Sequence, residues 1–108
     1  MNNIIDLQKQ ADELSTKICS FCKPLILSPL YKEQVRQLLS SETDLRLSIE
    51  YSMEAETKEE ALEKISLAKQ EAEIILYILI QLNKEKPNEV VKIIEIAKII
   101  ISTIEEIK

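Results

Sequence analysis

Residues 57–82 read TKEEALEKISLAKQEAEIILYILIQL, and this stretch decides the fold. Its apolar residues recur as Ala61, Ile65, Ala68, Ala72, Ile75, Leu79 and Leu82, stepping by four and three in turn, which keeps one stripe of a helix facing its neighbours. Three of the first four seam positions are alanine, so another backbone can come close. From Ile74 to Ile80 the segment is apolar around its whole circumference, and no single neighbour can cover it. Thr57, followed three residues later by Glu60, forms a capping box that starts this helix, which is expected to stop near Asn83.

Working outward, Lys84-Glu85-Lys86 reads as a short charged turn, and Pro87 suits the first position of a following helix, with Glu89 near its positive end. That helix carries Val90, Ile93, Ile94, Ala97, Ile100, Ile101, Ile104 and Ile107, while Ile99 projects from the polar side with Lys92, Glu95 and Ser102. Upstream, Ser28-Pro29 reads as a cap and first helical residue. The helix it opens carries Tyr31, Val35, Leu38, Leu39, Leu45, Ile49 and Met53. Its middle, Ser40-Ser41-Glu42-Thr43-Asp44, places short polar side chains where the seam should pass, which predicts a kink near Ser41 or a polar contact patch. The first helix is expected from about Asn3 to Phe21 and ends at Lys23-Pro24, because proline disfavours helical geometry in the residue before it. The connector Leu25-Ile26-Leu27 is oddly apolar, so it is expected to fold over a bundle end or meet another subunit.

The 108 residues are read as one domain, 1–108, able to bury roughly 65% of the surface of the unfolded chain. Glycine is absent and proline occurs only three times. Hairpin turns need residues that tolerate positive φ, so an antiparallel sheet has little to turn on. The fold class is therefore all-α, an antiparallel up-and-down four-helix bundle with short connections. More apolar surface is on offer than such a core can hide, with Leu27, Ile74, Ile78 and Ile99 as the surplus. These four are the candidate interface residues, and a homo-oligomer is the expected user of them.

Composition narrows function. Fourteen basic residues against nineteen acidic give a net charge of −5, and the lysines are interleaved with glutamates, so direct nucleic-acid binding is disfavoured. The start Met1-Asn2-Asn3-Ile4-Ile5-Asp6 lacks the features of a secretory leader, and the longest apolar run falls far short of the ~20 residues of a membrane span. A soluble, cytoplasmic protein without a membrane partner is expected. With no histidine, histidine-dependent hydrolases, nucleases and a Glu-x-x-His di-iron site are excluded.

Glu56, Glu59, Glu60 and Glu63, with Glu54 beside them, are weighed as a magnesium site of the kind used by helical nucleotide pyrophosphohydrolases, because a three-residue step puts two carboxylates on one helix face. The facing half of that pattern is missing, since Glu71 and Glu73 are two apart, and helix starts are naturally acid-rich. No metal, cofactor or catalytic residue is assigned. Cys19 and Cys22 have the spacing of a redox or zinc pair, but no second pair completes a metal site, and structural thiols are the preferred reading. Tyr77 reads as core or interface, Tyr31 and Tyr51 as rim residues.

The series Gln8-Lys9, Ala11, Glu13-Leu14, together with Thr57-Lys58-Glu59-Glu60-Ala61-Leu62 leading to Ile65, Leu67 and Ala68, resembles the small four-helix-bundle proteins encoded in intervening sequences of large-subunit ribosomal RNA genes. The accessory variability proteins of diversity-generating retroelements look like a branch of that group. The chain departs from the family before the third helix, where Ser48-Ile49-Glu50-Tyr51-Ser52 stands for an Asn-Ile-Ala-Glu-Gly turn, and at Gln70-Glu71, which replaces Gly-Ser. The resemblance implies a ring-like homo-oligomer, with a pentamer as its stoichiometry, and no enzymatic activity. In the retroelement branch it further implies docking to a reverse transcriptase and its RNA. The expected function is a non-enzymatic, self-assembling adaptor that binds another protein. An accessory subunit of a reverse transcriptase or other nucleic-acid-handling complex is the alternative, and a magnesium-dependent nucleotide pyrophosphohydrolase the remote one.

Overall fold

Four helices follow one another, α1 (Asn2–Cys22), α2 (Lys32–Glu54), α3 (Lys58–Asn83) and α4 (Pro87–Ile107), with a 3-10 turn at Lys23–Leu25. This is a computed structural model that describes residues 2–108, with side chains from residue 4 onward. Helices of these lengths run about 32–39 Å at 1.5 Å per residue, so only the 44 Å long axis of the molecule can hold them. Connections of three residues between α2 and α3 and between α3 and α4 cannot return along that axis, so the chain reverses at each. The nine-residue link between α1 and α2, partly coiled, reverses it too. In cross-section α1 packs on α2 and α4, and α3 packs on α2 and α4, which closes the square of an up-and-down bundle.

The seam expected for α3 is the centre of the core. Ile65, Ala68, Ala72, Ile75, Leu79 and Leu82 are all buried, facing Leu38, Leu45 and Ile49 from α2, Leu7, Leu14 and Ile18 from α1, and Ala97, Ile100 and Ile104 from α4. Full burial of each such Leu or Ile is worth about 1.5–3 kcal/mol. The alanines contribute differently, by letting neighbouring helices approach a side that larger groups would hold off.

Helix starts follow local chemistry in two cases out of three. Thr57 caps α3, its hydroxyl accepting from the Glu60 N–H at 3.1 Å, while the Glu60 carboxylate accepts from the Glu56 N–H at 3.2 Å, one residue further back than in the usual capping box. Pro87 opens α4 as expected. Ser28-Pro29 does not open α2. Leu25 turns inward and is buried, the Ser28 N–H reaches the Leu25 carbonyl at 3.0 Å and the Tyr31 N–H the Ser28 carbonyl at 3.4 Å, so these residues form tight turns and the helix waits until Lys32.

The polar stretch near Ser41 does not break the helix, because α2 is continuous from Lys32 to Glu54. Its polar middle satisfies itself within the helix. Thr43 donates to the Leu39 carbonyl at 2.9 Å, and Arg46 donates to the buried Glu42 carboxylate at 3.0 and 3.4 Å, one turn along. Fully buried Leu38 and Leu45 clamp the helix on either side of that segment. A second adjustment comes at the end of α2, where Met53 is exposed and Ser52 takes the inward position, its hydroxyl bonded to the Ile49 carbonyl at 2.6 Å.

Two substitutions test this account in urea denaturation. Thr57→Ala removes the cap of α3 and is expected to cost about 1 kcal/mol. Arg46→Met leaves the buried Glu42 carboxylate without its charged donor, with only the Thr43 hydroxyl at 3.2 Å remaining, and is expected to cost about 1–3 kcal/mol, most of it recovered when Glu42→Leu is added.

Candidate interaction surface

The apolar circumference read in the second half of α3 divides in two. One side is the seam, and the other carries Leu67, Ile74 and Tyr77 into solvent, with Ile74 44% and Tyr77 63% exposed. The adjoining outer face of α2 adds Leu47 and Tyr51, also exposed. Between the two helices lies an open groove of about 810 Å³, with Arg36, Gln37, Ser40 and Ser41 on one wall, Gln70, Glu73, Ile74 and Tyr77 on the other, and Ile78 at its base. Sequence and shape connect here: the short serines that interrupt the seam of α2 are what leave the groove unfilled.

The four candidate interface residues do not form one patch. Ile74 lines the groove, Leu27 stands at the α1–α2 connector with 94% of its surface exposed, and Ile99 lies 51% exposed on the outer side of α4. Ile78 is corrected outright, since it is buried in the core cluster and supplies no surplus surface. Leu67, Leu47 and Tyr51 were missed as members of the exposed stripe. The signal was present in the three- and four-residue steps of Leu67, Gln70, Ile74 and Tyr77, offset from the seam, and in Leu47 with Tyr51 one turn on.

Charged groups at the bundle ends are held locally. The Lys64 ammonium sits 6.0 Å from the centre of the Tyr51 ring, and Lys86 sits 5.7 Å from that of Tyr31, within reach of a cation–π attraction. Arg36 contacts Glu33 at 2.6 Å and holds its carboxyl below the usual carboxylate range. Glu56, Glu59, Glu60 and Glu63 are all exposed, and the Glu60 carboxylate is engaged in capping. Among the described residues no three or more acidic or cysteine side chains are gathered closely enough to hold a metal ion.

Cys19 is exposed and Cys22 is buried, both as free thiols. Burial pushes the Cys22 thiol up to about 11, with Cys19 and the buried Glu42 carboxylate adding to the shift. A thiol held protonated is a poor nucleophile and a poor metal ligand at neutral pH. Cys22 therefore supplies no activated thiolate.

Two consequences are measurable. At pH 8 a thiol reagent is expected to modify Cys19 rapidly and Cys22 only on unfolding. Because the Cys22 pKa is raised on folding, its contribution to stability is complete below about pH 9 and is lost as pH rises toward 11. Denaturation midpoints across that window should fall more steeply in the native protein than in Cys22→Ala.

No protein-family model matches the chain, and no curated protein sequence does. Among solved structures, a protein of unknown function from the S23 ribosomal protein family of Bacteroides thetaiotaomicron VPI-5482 is similar, with a TM-score of 0.88 over 97% of this chain and 96% of that one. The two sequences are 18% identical, so the likeness shows a shared four-helix fold.

Proposed function

We propose that this chain is a non-enzymatic, self-assembling helical-bundle adaptor that binds another protein. The observation that carries the proposal is the set of exposed apolar side chains on α2 and α3, Leu47, Tyr51, Leu67, Ile74 and Tyr77, of which Ile74 and Tyr77 line the α2–α3 groove. Large apolar side chains exposed together on two packed helices of a small domain mark a contact site. Two exposed tyrosines at the stripe fit it further, because aromatic residues are enriched in the anchoring positions of interfaces. In a side-by-side ring this face would meet a different face of the next copy, and the ribosomal-intervening-sequence resemblance favours five copies. Cytoplasmic residence belongs to the same reading; the described helices include none long and apolar enough to cross a membrane.

A second reading, an accessory subunit of a nucleic-acid-handling complex, draws on the ribosomal family name carried by the structural neighbour. In that reading protein contacts supply most of the binding, because the chain is acidic as a whole. The nucleotide-hydrolase reading finds no support in the geometry of Glu56 to Glu63.

Sedimentation velocity at micromolar concentration tests the main proposal. The native protein is expected to sediment as an oligomer. Ile74→Glu combined with Tyr77→Ser, both at exposed positions, is expected to give a folded monomer. A native protein that is itself monomeric at that concentration would remove the self-assembly part of the proposal.

A further inference from the structure

Two features at opposite ends of the bundle are complementary, and neither belongs to the α2–α3 stripe. At the end where α1 passes to α2, Ile26, Leu27 and Leu30 point into solvent, Leu30 with 80% of its surface exposed. They sit on a connector pinned by buried Leu25, by the turns at Ser28 and Tyr31, and by Lys86 beside the Tyr31 ring. Such a connector presents a fixed convex apolar knob. Lys23, Lys32, Lys84 and Lys86 belong to the segments around it; of the acids there, Glu33 is paired with Arg36, and Glu85 and Glu89 belong to the α3–α4 turn and the first turn of α4.

At the other end, where α2 passes to α3, the ends of all four helices enclose a cleft of about 660 Å³. Its walls are mainly apolar, with Ile5, Met53, Leu62, Ile65 and Ile107 among them. Glu56 and Lys58 line it too, and Glu54, Glu59 and Glu60 stand at the same end, so glutamates outnumber lysine there. That volume falls in the range of clefts that hold a drug-sized ligand, roughly 300–1,000 Å³, which is room for aliphatic side chains. The long axis of 44 Å separates knob from cleft, so one molecule cannot close them on itself.

We propose that the Ile26–Leu30 knob of one molecule seats in the α2–α3-end cleft of a second copy. The contact joins convex to concave, apolar to apolar, and a lysine-bearing end to a glutamate-bearing one. Its two halves are different surfaces, so it is heterologous and repeats head to tail. An apolar knob ringed by lysines also suits an anionic bilayer. A bilayer, however, leaves the apolar cleft unused, whereas a second copy occupies both. This contact is independent of the side-by-side one, because it uses neither Ile74 nor Tyr77.

Cross-linking between two single-cysteine variants tests it. In a Cys19→Ser background, Leu27→Cys and Met53→Cys are prepared separately, then mixed with a short bismaleimide, buried Cys22 serving as a silent internal control. A covalent dimer is expected in the mixture and in neither variant alone, with a yield that falls as salt is raised from low to molar concentration. In a Met53→Cys chain mixed with Leu27→Cys/Leu30→Asp, the yield should drop about tenfold, the loss that follows from removing one buried leucine contact. Ile74→Glu should leave the yield unchanged, which separates this contact from the lateral one. Dimer from Leu27→Cys alone means knob against knob and overturns the proposal, as does the absence of any dimer in the mixture. Leu27-dependent co-sedimentation with phosphatidylserine vesicles, without cross-linking in the mixture, assigns the knob to a bilayer and also overturns it.

Discussion

Burial of the α3 seam between α2 and α4 is the constraint on which this structure depends. Ile65, Ala68, Ala72, Ile75, Leu79 and Leu82 leave water together, and the other helices take their places by covering them. A helix in a square bundle can turn only one side to that core. Since α3 is apolar on more than one side, folding of a single chain leaves part of it uncovered. Leu67, Ile74, Tyr77 and Ile80 are the remainder.

The polar middle of α2, which satisfies itself without breaking the helix, has a second effect. Ser40 and Ser41 are too short to fill the space opposite Ile74 and Tyr77, so the bundle carries a groove where a pair of leucines would have made a flush surface. Glu42 lies buried nearby with Arg46 as its donor, and its charge is felt by the Cys22 thiol on α1. An ion pair of this kind adds little net stability by itself, yet losing one partner exposes the other to the full cost of desolvation. The same segment thus supplies an internal pair and an external recess.

Charge is arranged along the length of the molecule. Acidic residues at the start of α3 complement the positive end of its dipole, which explains their density without any metal. Lysines gather at the other end, beside the α1–α2 connector and the α3–α4 turn. A lateral stripe and an axial knob-and-cleft pair would give the protein two directions of assembly, one governed mainly by apolar area and the other sensitive to salt.

Periodicity and punctuation made the four helices legible, with Thr57, Pro87 and the α3 seam placing their elements to within a residue or two. Those features are local, since a cap or a three-and-four step acts through neighbours in the chain. What lay beyond local reading was settled by tertiary packing. Ile74 and Ile78 are both apolar and one turn apart, and nothing local tells which stays exposed on the groove and which is buried at its base. Ser41 was expected to break its helix because its own preferences point that way, but Leu38 and Leu45 are held in the core on either side and keep the backbone helical. Ser28-Pro29 has good capping chemistry, but burial of Leu25 commits the connector to turns before a helix can start. Local sequence determined which segments coil and which residues are apolar, while only packing decided which apolar residues are hidden, because burial depends on where the neighbouring helices lie.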